Sequence, residues 1–86
     1  MNKNCICRIC GYDNSPDEFW DKNGNPEYLI CPCCGCESGH EDINLMSIRN
    51  YRINWNNKGA QWKERKLRPK NWDKNSQLKN ILDKYK

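Results

Sequence analysis

Apolar residues are in short supply. They make up 36% of the 86 residues, with 30% charged, whereas an ordinary globular domain is about 45–50% apolar. So short a chain buries a modest share of its surface and leaves room for one small domain, residues 1–86. No stretch approaches the ~18 consecutive apolar residues of a membrane span. Met1 to Ile6 holds Asn, Lys and Cys in place of an apolar signal core, so a cytoplasmic location is the expectation. Histidine occurs once, at His40. No Ser-His-Asp set and no glycine-rich phosphate loop is visible, and the carboxylates sit in a segment with little core to shift their pKa values. The expectation is a protein that is not an enzyme.

What the chain does have is cysteine. Seven occur, at Cys5, Cys7, Cys10, Cys31, Cys33, Cys34 and Cys36. Small domains with thin cores add disulfides or a structural metal, and in a reducing compartment clustered cysteines read as metal ligands. An odd count would also leave one thiol outside any set of disulfides. Two half-sites match each other: Cys7-Arg8-Ile9-Cys10-Gly11 and Cys31-Pro32-Cys33-Cys34-Gly35. Each is Cys-x-x-Cys-Gly, a tight turn in which both sulfurs face one ion and the glycine accepts the positive φ that follows. Together, Cys7, Cys10, Cys31 and Cys34 form the zinc-ribbon spacing Cys-x2-Cys-x20-Cys-x2-Cys. One structural Zn²⁺ closed by four thiolates is the expected cofactor, with no position open for an activated water.

Cys5, Cys33 and Cys36 remain as additional thiols, with His40 nearby. A second site from these groups would compete with the first for the same turn, and a shifted register that uses Cys33 and Cys36 would lose the glycine after Cys34. Buried small apolar side chains are the plain alternative for free thiols.

Charge divides along the chain. Residues 1–48 hold three basic and eight acidic groups, net −5, while residues 49–86 hold twelve basic and three acidic ones, net +9. Asp13, Asp17, Glu18, Asp21, Glu37, Glu41 and Asp42 make the acidic part a candidate partner surface. Lys63, Arg65, Lys66, Arg68 and Lys70 make the best candidate nucleic-acid surface. Trp55, Trp62 and Trp72 lie among these cations, where they serve either as the core or as a base-stacking platform. With so few aliphatic residues, the core is the favoured role.

Asn23-Gly24 is a type I′ hairpin pair, and Glu27-Tyr28-Leu29-Ile30 after it reads as a short strand leading into Cys31. Leu45, Ile48, Tyr51 or Arg52, and Trp55 predict an amphipathic helix over 45–58, with Gly59 as its C′ residue. Leu78, Ile81, Leu82 and Tyr85 predict a second helix over about 74–84, capped by Asp73. The fold class predicted is a small α+β metal-stabilised domain. Its N-terminal zinc ribbon (1–42), two zinc knuckles joined by a β-hairpin, packs against two C-terminal helices within a Trp-rich basic part (43–86).

Ile30-Cys31-Pro32-Cys33-Cys34-Gly35 resembles the small bacterial proteins of the cysteine-rich CPCC family. The likeness extends to Asn23-Gly24-x-Pro26-x-Tyr28, Glu37-Ser38-Gly39, Tyr51-x-x-x-Trp55, Gly59-Ala60-x-Trp62, Pro69-x-x-Trp72 and Gln77-Leu78-x-Asn80-Ile81, and so covers most of the chain. It departs at Arg8, where members commonly carry proline, and at Cys36, where an aromatic or aliphatic residue is more usual. The resemblance implies a zinc-ribbon protein of uncharacterised role, of a kind suspected to neighbour toxin genes and to act as immunity proteins. A protein partner, such as a toxin covered by the acidic face, is thus the leading expectation. A nucleic acid held by the basic half is the alternative.

Overall fold

The computed structural model describes residues 2–86. Two α-helices form, α1 at Leu45–Asn57 and α2 at Lys74–Leu78, with single 3-10 turns at Lys3–Cys5, Arg65–Leu67 and Asp83–Tyr85. No strand forms among the described residues. Antiparallel pairing is reduced to three isolated bridges, Ile6 with Asp13, Trp20 with Pro26, and Ile30 with Glu37. The β part of the predicted α+β class is therefore not realised as a ribbon hairpin.

The local reasons are visible in the backbone. At the predicted hairpin turn, positive φ falls on Gly24 and not on Asn23, so the type I′ geometry does not form. Asp21 organises a three-residue loop in its place, its carboxylate accepting from the N–H groups of Asn23 and Asn25 while its own N–H donates to the Asn25 carbonyl. Tyr28 stands at φ 56°, which breaks the extended run predicted from Glu27 to Ile30. Its neighbours bond irregularly: the Leu29 N–H goes to the Ser38 hydroxyl and the Glu27 N–H to the Phe19 carbonyl.

Helix α1 follows the predicted pattern. Asn44 caps it by accepting from the Ser47 N–H. Ile48 and Trp55 are buried, with Tyr51 and Arg52 half-buried between them, so i, i+3, i+4 and i+7 form the inward stripe. Leu45 sits at the edge of that stripe and Met46 and Ile53 outside it, all three exposed. The helix ends in a Schellman arrangement, with Gly59 donating to Asn56 and Ala60 to Trp55. Gly59 at φ +96° is the C′ residue expected from the sequence.

The second predicted helix is much shorter than 74–84. Asp73 caps it as expected, accepting from the Asn75 N–H and the Ser76 hydroxyl. Beyond Leu78 the chain tightens, and Lys79, Asn80 and Ile81 each donate to the carbonyl three residues back. This tightening brings the side chains of Gln77 and Asn80 onto the first cysteine turn, where they donate to the Cys10 and Gly11 carbonyls.

The core is built from cysteines and aromatics in place of aliphatics. Trp55 and Trp62 are buried and Trp72 half-buried. Edge-to-face contacts link Tyr12 to Trp62 at 5.6 Å, Trp62 to Trp72 at 5.4 Å and Trp72 to Trp55 at 6.3 Å, a geometry that adds to the apolar burial of large rings. The tryptophans thus take the core role. A single cluster draws on both parts of the chain, and the radius of gyration, 11.8 Å, is close to the ~12 Å expected for this length.

Candidate metal centre

The two cysteine turns are built alike. In the first, the Cys7 N–H donates to the Tyr12 carbonyl, and Gly11, at φ +82°, donates to the Cys7 carbonyl. In the second, Cys31 donates to Cys36, and Gly35, at φ +80°, donates to Cys31. The flanking bridges, Ile6 with Asp13 and Ile30 with Glu37, repeat at the same 24-residue offset. Left-handed backbone after the second cysteine favours glycine at both positions.

Facing each other, the turns bring together the sulfurs of Cys7, Cys10, Cys31 and Cys34. All four residues are buried, and their Sγ atoms lie within 4.8 Å of one another. The pairs Cys7–Cys34 and Cys10–Cys31 are each 3.6 Å apart. A tetrahedron with metal–sulfur bonds of about 2.3 Å has edges of about 3.8 Å, so the cage fits an ion that takes four thiolates. Burial pushes the thiols of Cys10 and Cys34 well above the ordinary range. Cys31 is opposed by the same burial but receives hydrogen bonds from Cys10, Cys34 and Cys7, which hold it below that range. Four negative sulfurs this close in a buried site require a cation among them. Bound there, a metal would cross-link the two turns, and four protein ligands fill a tetrahedral sphere.

The three remaining thiols are outside the four-sulfur set, with Cys33 lying against Cys10 at its edge. Cys5, Cys33 and Cys36 are all buried. Cys33 accepts from the Gln77 amide at 3.3 Å, and Cys36 turns its thiol toward the Glu37 carbonyl. His40 is exposed next to Glu41. The cage uses the register of Cys31 and Cys34, the one followed by Gly35.

Support comes from residues that the cysteine pattern does not point to. Arg52 donates from Nε to the Ile9 carbonyl at 2.7 Å and from Nη2 to the carbonyls of Arg8 at 2.9 Å and Tyr85 at 2.6 Å. Its neighbour Tyr51 donates to the Cys34 carbonyl at 3.0 Å, and the Lys63 and Glu64 N–H groups bond to Cys33 and Pro32. One turn of α1 therefore holds both cysteine turns. Heptad-like spacing places Tyr51 and Arg52 on the inner face of α1, but nothing local in the sequence gives their carbonyl partners.

The glycines of the two turns should respond unequally to substitution. A Cβ on Gly35 meets only side-chain atoms at 3.6 Å or more, whereas one on Gly11 would lie 2.2 Å from the Gln77 carbonyl oxygen. Gly35→Ala is expected to cost about 1–2 kcal/mol from its left-handed backbone alone. Gly11→Ala is expected to cost clearly more, because α2 must move. Urea denaturation of the metal-loaded variants checks the order, and equal costs would contradict the docking of α2.

The candidate acidic surface needs one correction. Asp42 is buried, 3% exposed, and cannot belong to an open face. Its carboxylate accepts from the Trp20 indole N–H at 3.0 Å and the Gly39 N–H at 2.8 Å. Burial raises its pKa, and the hydrogen bonds from Trp20 and Gly39 oppose that rise only in part. Nearby, Arg8 donates to the Asp42 carbonyl and lies between the rings of Trp20 and Tyr85, 3.8 and 4.4 Å from their centroids. Asp42→Asn turns an amide NH₂ toward one donor and is expected to cost about 1–3 kcal/mol by thermal denaturation near neutral pH. An unchanged midpoint would show that this pair is not formed in solution.

Asp13 and Asp17 are exposed, while Glu18, Asp21, Glu37 and Glu41 are half-buried. Glu18 accepts from Asn2 and Asn4, and Glu41 from the Glu37 N–H. Lys63, Arg65, Lys66, Arg68 and Lys70, by contrast, are all exposed. No helix among the described residues is long and apolar enough to cross a membrane.

These features define a small cysteine-rich protein with a closed four-sulfur cage able to hold a metal ion. Comparison of the chain with protein-family models, curated proteins and solved structures gave no match.

Proposed function

We propose that this chain is a non-enzymatic interaction module stabilised by one structural zinc ion, and that it acts by binding another protein in the manner of an immunity or antitoxin protein. The observation that carries the reading is the closed cage of Cys7, Cys10, Cys31 and Cys34, with both turns tied to α1 through Tyr51 and Arg52. Such a centre organises a surface and leaves the metal no free position for substrate. Zinc suits the donor set because it takes four thiolates without a redox change. The likeness to the cysteine-rich CPCC proteins points the same way.

Native mass spectrometry of the protein purified from a bacterial host tests both parts. One zinc per chain and a co-purifying protein are expected; a chain free of metal, or one returning no protein partner, would overturn the reading. A second reading is nucleic-acid binding, favoured by the exposure of Lys63, Arg65, Lys66, Arg68 and Lys70. A bound oligonucleotide in the same experiment, with affinity falling steeply as salt rises, would replace the first reading by this one.

A further inference from the structure

Beside the cage, α1 and the segment that follows it enclose an open cleft of about 550 Å³, lined by Cys34, Tyr51, Asn54, Trp55, Lys58 and Gln61. That volume is within the ~300–1,000 Å³ of sites that take a ligand. Residues 51, 54, 55 and 58 recur at helical spacing, so the cleft runs along one stripe of α1.

Its floor is already satisfied. The Tyr51 hydroxyl donates to Cys34, and the Trp55 indole N–H to the Gln61 carbonyl at 3.1 Å. These rings therefore have no free donor and otherwise offer what apolar surface they expose. Asn54 and Gln61 are among the lining residues, and their amides, the Gln61 oxygen being engaged by Arg65, are of a kind that pairs with a peptide backbone.

The charged side chains around the cleft are mainly cations, while Cys34 of the cage also lines it. Lys58 lines it, Arg65 reaches the Gln61 amide oxygen, and the stem of Lys63 lies with the Tyr51 hydroxyl over Gly35. No carboxylate is among the lining residues, and Glu41 is the acidic group whose field reaches Tyr51.

We propose that this cleft is the partner-docking site and that its occupant is an extended acidic protein segment carrying one large apolar side chain. The apolar side chain covers the Tyr51 ring and the small exposed part of Trp55, its backbone pairs with Asn54 and Gln61, and its carboxylates face Lys58, Lys63 and Arg65. A single-stranded nucleic acid fits less well. Trp62 is 5% exposed and Trp72 has Arg68 over its ring, so only Tyr51 and the small exposed part of Trp55 remain, too little aromatic surface for successive bases to stack on. This inference rests on the protein-binding reading above, and it reverses the charge expected of the docking surface: the cations recognise, and the acidic turns do not.

The test is binding of short synthetic peptides to the zinc-loaded full chain, read by side-chain amide and indole resonances in ¹⁵N-correlated NMR spectra at low ionic strength. The probes are Glu-Glu-Leu-Glu-Glu, its counterpart Lys-Lys-Leu-Lys-Lys and an oligothymidylate. The acidic peptide is expected to shift the Asn54, Trp55 and Gln61 side-chain signals saturably, and the basic one to leave them in place. Lys58→Glu, an exposed change at the end of α1, is expected to weaken the acidic peptide on the order of tenfold, and Asn54→Phe to abolish binding by filling the cleft. Shifts confined to other surfaces, equal binding of both peptides, or tighter binding of the oligothymidylate at these residues would overturn the proposal. A protein partner that co-purifies but cross-links away from Lys58 and Lys63 would overturn it too, while leaving the interaction-module reading intact.

Discussion

Removing the metal is expected to unfold the chain altogether. A structural zinc held by thiolates contributes about 10–16 kcal/mol of apparent binding free energy near neutral pH, whereas a whole small domain is stable by about 5–15 kcal/mol. Here the four ligands are themselves among the core residues, so little remains to hold the two turns together once the ion is gone. A chelator, or Cys10→Ser, should therefore shift the tryptophan emission to that of exposed indole and collapse the NMR dispersion. Acid should have the same effect. The sulfurs must lose their protons to bind, so metal affinity falls as pH falls. Asp42 works in the opposite sense. Burial raises its folded pKa, so its charge costs stability above that pKa, and the cost vanishes below the usual aspartate value. The metal dominates, and acid unfolds. A chelated protein that kept dispersed spectra would show that the tryptophan core suffices without the ion.

The second large effect is expected at Arg52. Its guanidinium serves three carbonyls on two segments that no other element joins in this way, Arg8 and Ile9 in the first cysteine turn and Tyr85 near the end of the chain. Hydrogen bonds from a charged donor are worth about 1.5–3 kcal/mol each, and half-burial of the side chain places these toward the lower figure. Arg52→Ala is therefore expected to cost about 3 kcal/mol or more in urea denaturation of the metal-loaded protein. Arg52→Lys should recover only a small part, because an ammonium cannot span the planar fork that reaches three acceptors. Metal affinity should also fall, on the order of 10–100-fold, as it does when groups that orient metal ligands are removed. A variant within 0.5 kcal/mol of the parent, with unchanged competition for zinc, would contradict the clamp.

The candidate centre was legible in the sequence because its geometry is local. A Cys-x-x-Cys-Gly turn closes within five residues, and two such turns with a workable spacer leave few other arrangements for their sulfurs. Helix α1 was legible for the same reason: the 3.6-residue stripe and Gly59 lie within one continuous segment. What could not be read was whatever depends on distant backbone. Propensity favours a strand from Glu27 to Ile30, but Tyr28 takes positive φ and the neighbouring N–H groups find Phe19 and Ser38 instead. Periodicity carries α2 to residue 84, but the chain tightens after Leu78, where Gln77 and Asn80 reach the first turn. Asp42 reads as a surface charge until the Trp20 indole is seen to need it. The stripe places Tyr51 or Arg52 inward but does not give the carbonyls that both of them reach. Side chains that bond to remote carbonyls leave no period and no motif.

The clamp on the cysteine turns also sets an order of events during synthesis. All four sulfurs lie within residues 7–34, while the groups that hold the turns from outside begin at Tyr51 and end at Asn80, 69 residues after its partner Gly11. On a chain emerging at about 5–20 residues per second, the cage is exposed for seconds before its supports exist. A metal met during synthesis would find a loose pair of turns, open to exchange and to thiol oxidation. The late arrival of the C-terminal residues is the step that locks in whichever ion is there.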